Sequence, residues 1–236
     1  MSKFTWLTTL RGPALTQEQL ERRDCLSLPQ GLSEVSLRQQ RMIVVDLETS
    51  GLNTSRDQVL SIGAVAIEDG GIDLGSQFEC TLQRDQLVLK ESVLIHGIAP
   101  SALAAGTEPA EALLDFMEFV GDSPLLAFHA PFDRRMLARA LKTSLGYTLR
   151  HPFLDLAEVA PMLCPHAKVG RGGLDDWVEH FGLQVQQRHN AAADALATAE
   201  LALILFSRAR RQEMDNLLAL DRRLNVWRRR RNAYSL

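Results

Sequence analysis

The chain has 236 residues, 46% of them apolar, and a formal net charge of −3. That is enough for one large domain with a real core, and it excludes a polycation, so affinity for nucleic acid would have to come from local patches such as "VWRRRRNAY" near the end. Cys25, Cys80 and Cys164 are odd in number, far apart and without CxxC spacing, which argues against a disulfide framework and a thiolate zinc site. The opening "MSKFTWLTTLRGP" has no continuous apolar run, and no stretch approaches the ~20 apolar residues of a membrane span. The expected location is cytoplasmic, with no membrane partner.

Residues 1–40 are polar and charged and read as an extension, with two short helices broken at "LPQG" and no core stripe of their own. Next, "MIVVDLE" reads as a strand, "QVLSIGAVAIEDGGI" as a second strand entering a Gly-Gly turn, and "SQFECTLQ" as a third; the short connections predict antiparallel neighbours. The period then changes. "AEALLDFMEFVGD" has helical spacing, "PLLAFHA" is strand-like, "DRRMLARALKTSL" is helical, and "PFLDLAEVAPML" is a short strand running into a helix. "LDDWVEHFGL" and "NAAADALATAELALILFSRAR" complete a helix-rich second half. This order predicts an α/β domain around a mixed β-sheet flanked by helices over residues 41–210, followed by a basic C-terminal tail, 211–236.

"VVDLETSGL", residues 44–52, ends an apolar run on two acids. Positions two apart on a strand share a face, so Asp46 and Glu48 project together, and two like charges so close call for a cation or a proton between them. The short D-x-E pattern alone reads more simply as two strand-end residues facing water. Asp133 follows "LLAFHAPF" at a helix start, where the dipole favours an acid, and Asp194 lies in "HNAAADALATAE", whose alanines would let a helix backbone approach the sheet.

"VVDLETSGL", "HAPFD" and "HNAAAD" stand in the order and at spacings similar to the three motifs of the DnaQ-like (DEDDh) 3′–5′ exonuclease family, the family of the proofreading epsilon subunit of bacterial DNA polymerase III. The resemblance covers residues 41–206 and extends to "QVLSIGAV", "IHGI" and "LDLAEVAPMLCP". It implies a ribonuclease-H-like fold and a site where Asp46, Glu48, Asp133 and Asp194 hold two Mg²⁺ or Mn²⁺ ions. Asp46 is then the bridging ligand, Glu48 and Asp194 complete the ion that activates water, and Asp133 supports the second. His189 is implied as the general base, on the loop before the last motif's helix with Asn190 as its cap. Thr49, Leu52, His96, His129 and Phe132 are implied as substrate-binding positions. His129 departs from the family, which usually has Asn there, whereas His151, His166 and His180 read as exposed or satisfied polar residues.

The activity expected is removal of nucleoside monophosphates from the 3′ end of single-stranded nucleic acid, DNA favoured, in repair or proofreading. An RNA exonuclease similar to RNase T or oligoribonuclease is the alternative, because the motif residues meet phosphate and metal and not the sugar. Association with a polymerase is the other. "WRRRR", Trp227 to Arg231, lies outside the resemblance and reads either as a solvated tail or as an electrostatic arm whose tryptophan stacks on a base. Oligomeric state is not legible.

Overall fold

The structure is a computed structural model, which describes residues 15–84, 97–169, 172–185 and 188–233. Three strands come first: β1 (Met42–Thr49), β2 (Val59–Glu68) and β3 (Gly71–Thr81). β2 pairs antiparallel with both β1 and β3, as the short connections predict. Asp69 and Gly70 alone form the β2–β3 hairpin loop, both at positive φ (51° and 76°), the two-residue turn that a "DG" pair favours. Further along, β4 (Leu125–Ala127) joins β1 in parallel and β5 (Phe153–Asp155) joins β4 in parallel, giving the order β3-β2-β1-β4-β5. A parallel pair needs a crossover. Helix α4 (Ala130–Leu145) supplies the one between β4 and β5, after α2 (Pro100–Ala104) and α3 (Pro109–Val120).

Central β1 is covered on both faces, which accounts for its unbroken apolar run. Ile43, Val45 and Leu47 belong to one core with α3 and α4; Met42 and Val44 belong to a second, built with α5 (Leu156–Leu163), α6 (Leu174–Phe181), α7 (Ala191–Arg211) and α8 (Leu217–Ala233). By the same alternation, Asp46 and Glu48 continue the Met42 and Val44 parity, onto the face that α7 covers. Gly63 lies directly opposite Asp46 in the ladder, and a Cβ there would stand 2.1 Å from the carbonyl carbon of Ala191. A strand glycine thus lets the start of α7 rest on the sheet backbone beside Asp46.

The ends of the described chain meet this domain. Helix α1 (Gln17–Asp24) is tied to α3 by Arg22, whose guanidinium pairs with Glu111, Asp115 and Glu118 at 2.6–2.7 Å. After Gly31 the described chain forms a bridge and a turn, not the second short helix expected from the sequence: Ser36 pairs with Asn216, and Leu37, 1% exposed, enters the core. Residues 217–233, within the stretch expected to be a tail, form α8, whose Leu217, Leu220 and Leu224 are buried at i, i+3 and i+7. Among the described residues no helix is long and apolar enough to cross a membrane.

Candidate active site

Three carboxylates converge at the end of β1. Asp46 and Glu48 come from the strand and Asp194 from the first turn of α7, and one oxygen of each lies within 4.8 Å of the other two. Asn190 caps α7, its side chain accepting from the Ala193 N–H at 2.9 Å, as the sequence predicts. Burial first, then repulsion from Asp194, pushes the Glu48 carboxyl up to about 7. Asp46 is raised well above the ordinary carboxylate range by burial, then by Asp194 and Glu48. Asp194 is raised by burial, which outweighs the opposing pull of Arg188.

Arg188 is the cation that meets this cluster from the protein itself. Its guanidinium pairs with Asp194 on one side and Asp175 on the other. One guanidinium does not neutralise three acids: Arg188 pulls Glu48 down, but burial and then Asp194 push it up further. Three hard oxygen donors at this separation fit a divalent cation of the magnesium or manganese class.

Asp133 approaches from the opposite face, in the first turn of α4. It is buried and stands outside the three-oxygen group, yet burial and then repulsion from Asp46 raise its carboxyl well above the ordinary range. His189 is exposed in the left-handed region (φ 60°), and its backbone N–H donates to Asp194 Oδ2 at 3.1 Å. His129 is also exposed and left-handed, at φ 65°.

Of the other expected substrate positions, Leu52 is 86% exposed beside the rim and Phe132 is partly buried against the α3–α4 core. Thr49 is buried, and its hydroxyl donates to the Gly51 carbonyl at 2.9 Å, shaping the turn. His96 lies outside the described residues. His151 is buried, with Nε2 2.9 Å from the Gly121 carbonyl and its buried Nδ1 without a hydrogen-bond partner among the described residues, so it is only half satisfied.

Sequence reasoning missed three supports of this site. Gly63 carried a signal, an isolated glycine inside a strand pattern. Asp155 also carried one, an acid just before a helical run: its Oδ1 accepts from Ala157 at the start of α5 and from His129 and Ala130 at the start of α4, at 3.1–3.2 Å, which pins the two helix starts together. Arg188 carried none, since nothing in its neighbourhood marks it as facing Asp175.

The family comparison decides the class of this site. The exonuclease family of the RNase T type matches residues 43–202, which include all four acids and His189. The chain belongs to that family. It is 31% identical over 173 residues to the PolC-type DNA polymerase III of Clostridium perfringens, covering 73% of this chain and 12% of that one. It is 30% identical over 177 residues to a DNA polymerase III subunit epsilon-like protein of Rhodobacter capsulatus, covering 74% of this chain and 25% of that one. The chain thus spans a minor part of the relatives it matches.

Among solved structures, E. coli exonuclease I in complex with a dT13 oligonucleotide superposes with a TM-score of 0.61 at 20% identity, over 74% of this chain and 42% of that one. Exonuclease X in complex with 5′ overhanging duplex DNA gives 0.57 at 21%, over 70% and 91%. These likenesses show the fold, a mixed five-stranded sheet flanked by helices of the ribonuclease-H-like kind. The chain is thus a member of the exonuclease family, with a ribonuclease-H-like fold and an acidic site suited to a metal.

Proposed function

We propose that the chain is a 3′–5′ exonuclease that releases nucleoside monophosphates from single-stranded DNA, in repair or proofreading, with two Mg²⁺ or Mn²⁺ ions held by Asp46, Glu48, Asp194 and Asp133. The observation that carries this reading is the convergence of three carboxylate oxygens within 4.8 Å, with His189 bonded through its backbone to one of them. Bound there, divalent ions supply an activated water and neutralise charge developing on the scissile phosphate. Asp46, Glu48 and Asp194 turn their oxygens to one point because β1 alternation and the Gly63 contact fix them there. His189, exposed at the mouth, receives the proton of the attacking water. Leu52 and Phe132 flank the terminal base. Work beside a polymerase is favoured by the relatives, which carry DNA polymerase III names.

The test is degradation of labelled single-stranded DNA and RNA, with either end blocked, in magnesium, manganese or chelator. DNA shortening that stops only when the 3′ end is blocked, and stops in chelator, is the expected result. Shortening from the 5′ end, or at full rate in chelator, overturns it.

A further inference from the structure

Where α4 and α5, inside the family match, meet α8, which that match does not reach, lies a basic groove. Two adjoining hollows of about 570 and 520 Å³ share Pro131, Asp155 and Glu158. The first is lined by Arg134, Arg135 and Arg228, and the second by Trp227, Arg231 and His129. His129 is the residue from which α4 starts, the first turn of α4 carries Asp133, and Asp155 of both hollows repels the Asp133 carboxylate, so the groove lies next to the active site.

Its acids are already engaged. Asp155 accepts three backbone N–H groups through Oδ1, and Glu158 accepts from Arg228 Nε at 2.6 Å and from Arg231 at 2.8 Å. Those ion pairs hold α8 against α5 and fix two guanidinium groups at the groove wall. Arg134 and Arg135 are exposed on the opposite wall. Trp227, on the α8 wall, is partly buried, and the Arg231 guanidinium lies over its ring 4.6 Å from the centroid, so the aromatic edge and remaining face of the ring line the hollow beside that charge. Each hollow falls within the ~300–1,000 Å³ of an organic ligand site and exceeds what a lone anion needs.

We propose that this groove binds the single-stranded segment upstream of the 3′ end, its phosphates on Arg134 and Arg135 and one base against Trp227. The assignment rests on the exonuclease reading for its polarity. Positive charge spaced along an elongated groove with an aromatic face suits a phosphate backbone with unpaired bases, shared by DNA and RNA.

The test is equilibrium binding of a 3-mer and a 12-mer, as DNA and as RNA, to an Asp46→Asn chain across a salt series. With about 0.7 in salt slope per phosphate contact, Arg134→Gln/Arg135→Gln lowers the 12-mer slope by about 1.4 and leaves the 3-mer unchanged. Arg222→Gln/Arg223→Gln, two exposed arginines on α8 that line neither hollow, leaves both unchanged. Superimposable 12-mer plots, an equal loss in the second pair, or a loss confined to DNA or to RNA overturns the groove. Cleavage of the 3-mer by the chain with Asp46 intact separates the two ideas: retained 3′ cleavage with unaltered 12-mer binding sinks the groove alone, while groove-dependent binding without cleavage sinks the exonuclease reading alone.

Discussion

Helices α4 and α7 bring Asp133 and Asp194 to the end of β1 from opposite faces, and each begins after a left-handed histidine, His129 for α4 and His189, one residue further back, for α7. These two histidines are anchored differently. The His129 N–H donates to Asp155, a residue of the scaffold, whereas the His189 N–H donates to Asp194, a member of the acidic cluster itself. At 129 the backbone geometry is what the fold needs, and Asn and His are both among the residues that tolerate the left-handed region, which accounts for His standing where the family usually has Asn. At 189 the backbone is held by the same carboxylate that would hold a metal, so the proposed base and that ligand are tied together.

The largest effect expected from this asymmetry is on the cluster. Asp46→Ala removes the proposed bridging oxygen and abolishes turnover while the fold survives, because the loss also relieves repulsion from Glu48 and Asp194. Wild-type turnover at saturating magnesium would break the assignment. Next comes the histidine pair: His189→Ala loses about 10²–10⁴-fold in kcat near neutral pH, with partial recovery at high pH, while Mn²⁺ affinity is retained. His129→Asn keeps turnover, since Asn holds the same backbone geometry. Equal losses at the two positions in a pH–rate comparison would show that His129 shares the proton transfer.

Gly63→Ala probes the support beneath α7. The added methyl would sit 2.1–2.3 Å from the backbone of Ala191 and Ala192, atoms that cannot rotate away. Overpacking of this kind costs about 1–3 kcal/mol, and a backbone neighbour puts it at the upper end. A urea midpoint lowered accordingly, with weaker Mn²⁺ binding as Asp194 is pushed out, is the expected outcome. An unchanged midpoint would mean that α7 does not rest on β2.

Much of this was legible in the sequence. The unbroken apolar run of β1 and the alanines of α7 announce a covered strand and a close-packed helix, and three ordered motifs mark the acids. What stayed hidden depends on contacts distant in sequence. Arg188 faces Asp175 only because α6 and the chain leading into α7 lie side by side, and no local pattern records that. The stripe Leu217, Leu220 and Leu224 is present in the sequence, but the following arginines disguise α8 as a tail; its Arg228 and Arg231 pair with Glu158 and do not hang free. Deleting residues 227–236 therefore removes packing along with charge, which is why point substitutions test the groove better.

The smallest expected effect concerns the pH dependence of the metal-free chain. Burial, with Asp194 second, raises Glu48 to about 7, and burial also leads the upward shifts of Asp46, Asp133 and Asp194. For a carboxyl raised in the folded state, the native chain holds the proton more tightly than the unfolded chain does. Unfolding then releases protons between the ordinary carboxylate range and about 7, so these groups destabilise the fold progressively as pH rises through that window. Buried His151, which burial lowers, acts in the opposite sense: the folded chain sheds that proton more readily, so its contribution to stability grows as pH rises. Comparing the chain with Asp46→Asn cancels His151, because both carry it. In chelator, Tm of the natural chain should fall relative to the variant from pH 5 to about 7.5, and saturating Mg²⁺ should reverse the order by neutralising the intact cluster. Parallel Tm curves across that window would mean that the carboxylates are already compensated without metal, with Arg188 as the group responsible, and Arg188→Gln would then be the variant that restores the divergence.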